Sequence, residues 1–355
     1  MAVAKKTAAN DGYRQLRADL AADTIGSFYL LHGEETYLRD FYLGKMKDKL
    51  IPEGMESFNH HIISGKTCSY QMLSDLVDGL PVLCDRTMIV VTDYDIYKAA
   101  ESERAGLCQL FADIPAYCCL VLVYDTVPFK LDGRMKTLTA ALKEHCRMVE
   151  FARQSQADLV SWLSKRFQAL GHEIDVGTAQ YLIFLCGDLM TGLISEIGKI
   201  GAYAKEVRIT KADIDAVGIP QLDAVVFQMT DALTGRSFDK AAGVLGELLQ
   251  MQEPPIRILA VVGRHFRQLL TARIVLDARK DVTYLAALWG MRSSYPAQKL
   301  MQSARHFSMD WCRFAVQRCG ETDLAMKSVV GADSQALLVE LLLEISSREA
   351  MDAAH

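Results

Sequence analysis

Phe28-Tyr29-Leu30-Leu31-His32-Gly33-Glu34-Glu35-Thr36-Tyr37-Leu38 reads as a buried strand running into a helix, the place where a nucleotide-binding fold puts its phosphate loop. The turn lacks phosphate chemistry. A Walker loop needs G-x-x-x-x-G-K-[ST], so that backbone N–H groups cradle phosphates and the lysine reaches the outer ones. Here one glycine is followed by two carboxylates, which would repel a triphosphate. The stretch is a nucleotide-binding scaffold put to another use, and it points to a binding or mechanical role rather than hydrolysis.

Outward from this stretch, short apolar runs alternate with helical spacing from Ser27 to about Glu150. Phe28–Leu31, His61–Ile63, Met88–Thr92 and Cys119–Tyr124 are strand-like, Met148–Phe151 is a fifth candidate, and Tyr70–Leu80 and Arg134–His145 carry helical periodicity. Alternation of this kind predicts a parallel sheet flanked by helices. After Phe151 the strand signals nearly vanish. Ser155 with Asp158 resembles a capping box that opens a helix through Leu170, ended by Gly171. Further helices are expected over Gly177–Cys186, Leu189–Tyr203 and from Thr210, with Pro220 marking a linker. Beyond it the pattern is wholly helical: Val225–Leu233, Phe238–Met251, Ile256–Ala278, Val282–Trp289, Ala297–His306, Asp310–Met326 and Ser334–Ser346. These helices carry more apolar surface than one stripe each, which predicts a bundle that also meets other subunits. The expected division is 1–152 (α/β), 153–220 (helical) and 221–347 (all-α).

A chain of 355 residues with half of them apolar is globular and long enough for two or three cores. Its formal net charge of −5 argues against uniform, tight electrostatic binding to nucleic acid and leaves room for a local basic face within an assembly. The nine cysteines form no C-x-x-C pair and lie mostly in apolar runs, so they read as core thiols of a reducing cytosol rather than as metal ligands or disulfides. No signal-peptide run follows the N-terminus, and charges interrupt every apolar stretch before it reaches the length of a membrane span. A soluble, cytoplasmic protein without membrane contact is expected.

Ser64-Gly65-Lys66-Thr67 contains GKT, but the first glycine of a Walker loop would have to stand where His60 stands. Met88–Asp93 mimics a Walker B strand, yet without a phosphate loop its acid has no Mg²⁺·ATP to hold. No catalytic constellation and no metal site emerges, and His60-His61 reads as a solvated strand edge. Leu80-Pro81-Val82-Leu83-Cys84-Asp85-Arg86 is different, because it puts apolar side chains around a proline where a loop is normally polar. Either Val82 and Leu83 fold back onto the core, or they form an exposed tip that plugs into a partner's pocket. Arg257, Arg264, His265, Arg267, Arg273 and Arg279 fall along one long helix, as a solvated or intersubunit face or as a phosphate-tracking stripe.

Taken in order, several of these stretches resemble the delta subunit of the bacterial DNA polymerase III clamp loader. They are Tyr29-Leu30-Leu31-His32-Gly33-Glu34-Glu35, the Leu80–Arg86 tip, Asp132-Gly133-Arg134-Met135-Lys136, Gly187-Asp188-Leu189 with Glu196-Ile197-Gly198-Lys199-Ile200, Arg264-His265-Phe266-Arg267, and Asp323-Leu324-Ala325-Met326-Lys327-Ser328. The likeness runs from Phe28 to about Ile345. It implies a RecA/AAA+-like parallel sheet, a helical lid and an all-α collar, with no cofactor and no ATPase of its own, in a subunit of a DNA polymerase III holoenzyme. It further implies a subunit that grips and opens the ring-shaped sliding clamp (beta) beside the other loader subunits (gamma/tau and delta prime), on primed DNA. By position the clamp-binding residues are Leu80, Pro81, Val82 and Leu83, the last standing where family members often carry phenylalanine. Arg264, Arg267 and Tyr295 lie near the expected DNA contact. Two other readings compete: an active P-loop NTPase using Lys66 and Asp93, and a helical adaptor that binds proteins without touching DNA.

Overall fold

Successive residues along the central strands are buried on opposite faces of one sheet. Phe28, Leu30, Ile89, Val91, Leu120 and Leu122 pack with Leu73, Val77, Leu107, Phe111, Leu138 and Leu142 on one side. Tyr29, Leu31, Met88, Val90, Cys119 and Val121 pack with Leu16, Leu20, Met46 and Leu50 on the other. A sheet covered on both faces needs strands that are apolar at every position, and these runs have that composition. The structure, a computed structural model, describes residues 2–234, 237–250, 252–328, 331 and 333–352.

The strands are β1 (Phe28–His32), β2 (His60–Ser64), β3 (Thr87–Thr92), β4 (Cys118–Val123) and β5 (Arg147–Glu150). They are all parallel, in the order β2-β3-β4-β1-β5. Each of the five expected runs is a strand, with ends differing by a residue. Helices Thr36–Leu50, Tyr70–Asp78, Glu101–Ala112 and Lys136–His145 connect and cover them. A further helix, Ala2–Ala22, precedes β1 and packs along β5. Gly12 makes that approach possible, because a Cβ there would stand 2.2 Å from the Met148 carbonyl oxygen. Within the same helix, buried Asp19 pairs with Arg147 and accepts the Tyr29 hydroxyl.

By compactness the described residues fall into two units, one running to Gln154 and including Leu189–Thr191, the other holding the rest. The second unit is helical, with a single isolated bridge, Glu173 to Arg208, among its described residues. Ser155 caps Gln156–Ala169 by accepting the Asp158 N–H at 3.2 Å, and Gly171 (φ 83°) turns the chain after it. Thr210 and Asp213 form a reciprocal capping box on Lys211–Val217. The long helix Pro255–Asp277 lies at the centre of a bundle with Leu222–Thr234, Ser294–Ala304, Met309–Ser328 and Ser334–Asp352. Phe266 and Trp311 are at its core, and Phe307 stacks on Trp311 at 3.9 Å between ring centroids. The helix expected over Phe238–Met251 spans Phe238–Gln250, and Met251 lies outside the described residues. Among the described residues no single helix is long and apolar enough to cross a membrane, and no three His, Cys, Asp or Glu side chains gather where they could hold a metal ion.

Candidate functional site

At the turn after β1, two of the amides that would face a phosphate are already bonded within the chain. The Glu35 N–H donates to the Phe151 carbonyl at 2.9 Å, and the Thr36 N–H to that of Glu34 at 3.2 Å. Gly33 serves this tight turn rather than a ligand: its φ is 125°, and a Cβ would stand 2.3 Å from the Phe151 carbonyl oxygen. Glu35 is buried, and Glu34 pairs with Arg153 at 2.6 Å. In the first turn of the following helix, buried Arg39 is held by Asp125 at 2.7 Å and Asp40 at 2.9 Å. Arg39 and the Glu35 and Thr36 amides of this corner are thus committed to protein groups.

The other two nucleotide-like motifs are also internally satisfied. Ser64–Thr67 is a turn closed by the Thr67 N–H and hydroxyl on the Ser64 carbonyl at 3.0 and 3.1 Å, with Lys66 pointing into solvent. Asp93 (φ 56°) accepts the N–H groups of Asp125, Thr126 and Val127 and the Thr126 hydroxyl. Burial raises the pKa of this carboxyl, but the Thr126 hydroxyl and the three amides outweigh it and bring it down to about 2. Asp93 staples the loop after β4.

Geometry suited to recognition lies at the far end of helix Tyr70–Asp78. Ser69 caps that helix by accepting the Met72 N–H at 3.2 Å, and after Gly79 the chain emerges with apolar side chains outward. Leu80 is 75% exposed, Val82 43% and Leu83 84%, while Pro81 is half-buried. The side chains therefore stand away from the core rather than folding back on it. Leu83 has φ 56°, a left-handed conformation that costs a leucine about 1–2 kcal/mol. Both flanks of the loop are tied down. On one side, fully buried Asn59 accepts the Val82 N–H at 2.7 Å and donates to the Val82 carbonyl at 2.9 Å. On the other, the Arg86 guanidinium donates to the carbonyls of Ile25 at 2.5 Å and Gly26 at 2.8 Å. Beside Asn59, Phe58 (57%) and Ile62 (68%) are further large apolar side chains left in solvent. Sequence reasoning missed Asn59, Phe58 and Ile62. Phe58 stands alone in a polar context and carries no periodic signal, Ile62 lies in a strand-like run whose exposure follows from the edge position of β2, and the Asn59–Val82 pairing is set by the fold.

The basic helix is less open than its sequence suggests. Arg257, Arg264 and Arg273 pair with Glu253 (3.0 Å), Asp223 (2.5 Å) and Asp277 (2.5 Å). Arg279 lies beyond the helix end, and His265 is fully buried against Phe227, with its pKa driven down to about 3 by desolvation and by the nearby Arg264 charge. Arg264 and Arg267 share an exposed face one turn apart, and Arg267 has no ion pair among the described residues. Tyr295 does not stand free: it is half-buried against Phe184, with ring centroids at 5.2 Å.

Comparison with known proteins places these features in a family. A family model described as "DNA polymerase III, delta subunit" matches residues 29–152. A second, "DNA polymerase III delta subunit, C-terminal domain", matches residues 223–344. The chain is similar to the DNA polymerase III subunit delta of Bacillus subtilis (strain 168), 22% identical over 336 residues, covering 92% of this chain and 95% of that one. It is also similar to the probable DNA polymerase III subunit delta of Aquifex aeolicus (strain VF5), 21% identical over 279 residues, covering 76% and 77%. Among solved structures, the Bacillus subtilis DNA clamp loader delta protein shares the fold, with a TM-score of 0.54, 21% identity, and coverage of 94% of this chain and 99% of that one.

Proposed function

The chain belongs to the DNA polymerase III delta subunit family, and from that premise we propose that it grips a ring-shaped sliding clamp through the Leu80–Leu83 tip and favours the opened ring. The observation that carries this reading is the pair Val82 and Leu83, held out in solvent on a loop anchored at both ends. A fully exposed apolar side chain gains on the order of 1.5–3 kcal/mol when a preformed pocket buries it, and a partly exposed one proportionately less; a central anchor of this kind can act as a hot spot. The chain would do this without its own ATPase. Support comes from the corner after β1, where carboxylates and internally bonded amides replace a phosphate cradle. In this reading residues 153–220 form a lid, and 221–347 form a collar that joins the gamma/tau and delta prime subunits of the loader.

DNA contact is the weaker part of the proposal. Of the three residues expected near primed DNA, Arg267 has the freest charge, Arg264 would have to share its charge with Asp223, and Tyr295 would have to leave Phe184 to stack on a base. The test of the proposal is a binding measurement between the full chain and the sliding clamp of the same organism. Saturable binding that weakens on Val82→Ala with Leu83→Ala supports it, and failure of the folded wild-type chain to bind the clamp refutes it.

A further inference from the structure

We infer that Asn59 is a positioning residue for the clamp-binding tip, an inference that rests on the tip reading above. An asparagine amide offers one acceptor oxygen and two N–H donors, and Asn59 uses all three. Its oxygen takes the Val82 N–H at 2.7 Å, and its nitrogen donates to the Val82 carbonyl at 2.9 Å and to the Met55 carbonyl at 3.1 Å. Val82 is thereby paired on both backbone groups, as a residue in a sheet is paired, although its partner is a side chain 23 positions earlier. The next residue, Leu83, holds φ 56°, and such a conformation persists only where its surroundings over-determine it. Asn59 on one side and Arg86 on the other supply that constraint. The Asn59 amide is fully buried immediately before edge strand β2 and reaches out to the loop that carries the two exposed anchors.

The consequence is preorganisation. A loop already fixed in its presenting conformation loses less freedom on binding than one that must be ordered by its partner. Asn59→Ala should leave the chain folded, expose the Val82 N–H to faster hydrogen exchange while β3 amides stay protected, and weaken clamp binding about tenfold. In a Val82→Ala, Leu83→Ala background the same substitution should cost less than about twofold, because the two anchors that Asn59 positions are gone. Asn59→Ser, which is small enough for the site and keeps one hydroxyl in place of the amide, should fall between wild type and Asn59→Ala, and it serves as the test variant if Asn59→Ala does not fold. Affinities are measured by calorimetry with the full chain and the organism's own clamp. Wild-type affinity in a folded Asn59 variant whose Val82 amide has lost protection overturns the inference, as does an equal loss in both backgrounds. If the Val82→Ala, Leu83→Ala chain itself binds as wild type, the tip reading fails and this inference falls with it. If that chain is weakened and Asn59→Ala is not, only the role of Asn59 fails.

Discussion

Replacing Val82 and Leu83 together by alanine should weaken clamp binding about a hundredfold. Leu→Ala removes about three carbons and Val→Ala about two, and each buried CH₂ contributes ~0.8 kcal/mol. Only the part still in solvent can be gained on binding, so these values are scaled by the exposed fractions, 84% for Leu83 and 43% for Val82. The result is about 2 kcal/mol for Leu83 and about 0.7 kcal/mol for Val82, close to two factors of ten in Kd. Folding should scarcely respond, since exposed side chains far from the core typically change stability by less than about 0.5 kcal/mol, and alanine at 83 keeps an L-residue in the same left-handed conformation. Titration calorimetry of both proteins against the clamp, with thermal midpoints measured in parallel, reads both quantities. A double variant with an unchanged midpoint and an unchanged Kd would refute the assignment of the tip.

Equilibrium dialysis with Mg²⁺·ATP should detect no saturable binding, and Lys66→Ala should change nothing; saturable binding lost in Lys66→Ala would restore the nucleotide reading. Asp93 gives a pH signature. Its folded-state pKa of about 2 lies below the ordinary value of 3.8, so its contribution is present in full above about pH 4 and is lost as pH falls through 2. Asp93→Asn should cost on the order of 1–2 kcal/mol near neutral pH, allowing for partial solvent screening, and the gap to wild type in chemical denaturation should narrow between pH 4 and 2. A gap independent of pH over that interval would mean that the amide network around Asp93 does not depend on its charge.

The layered sheet was legible because its strands are buried on both faces, and short unbroken apolar runs rich in β-branched residues, such as Met88–Thr92 and Cys119–Val123, suit a central parallel strand far better than a surface helix. The helices of the second unit were legible through their caps, Ser155 and Thr210 above all. Helix Ala2–Ala22 was not: Leu16 and Leu20 reach the core, but its docking also rests on Gly12 meeting Met148 and on the buried Asp19–Arg147 pair, which carry no periodic signal in the sequence. At the tip, composition marked Leu80, Val82 and Leu83 as unusual, but whether they turn inward or outward depends on Asn59 and Arg86, whose partners are distant in sequence. The arginine helix misled for a related reason. One-dimensional spacing put His265 and Arg279 on a basic face, whereas packing buries the first and the helix end excludes the second. The paired acids Glu253, Asp223 and Asp277 then neutralise most of what remains.

Ring opening requires that the chain prefer the open state, because a ligand shifts a conformational equilibrium only by its differential affinity for the two forms. The most direct measurement is therefore the affinity of the full chain for the closed clamp ring and for a monomeric clamp whose ring interface has been broken, determined side by side by calorimetry. Tighter binding to the monomer is the expected result, with the difference equal to the free energy available for opening the ring; equal affinities for the two forms would contradict the opening role.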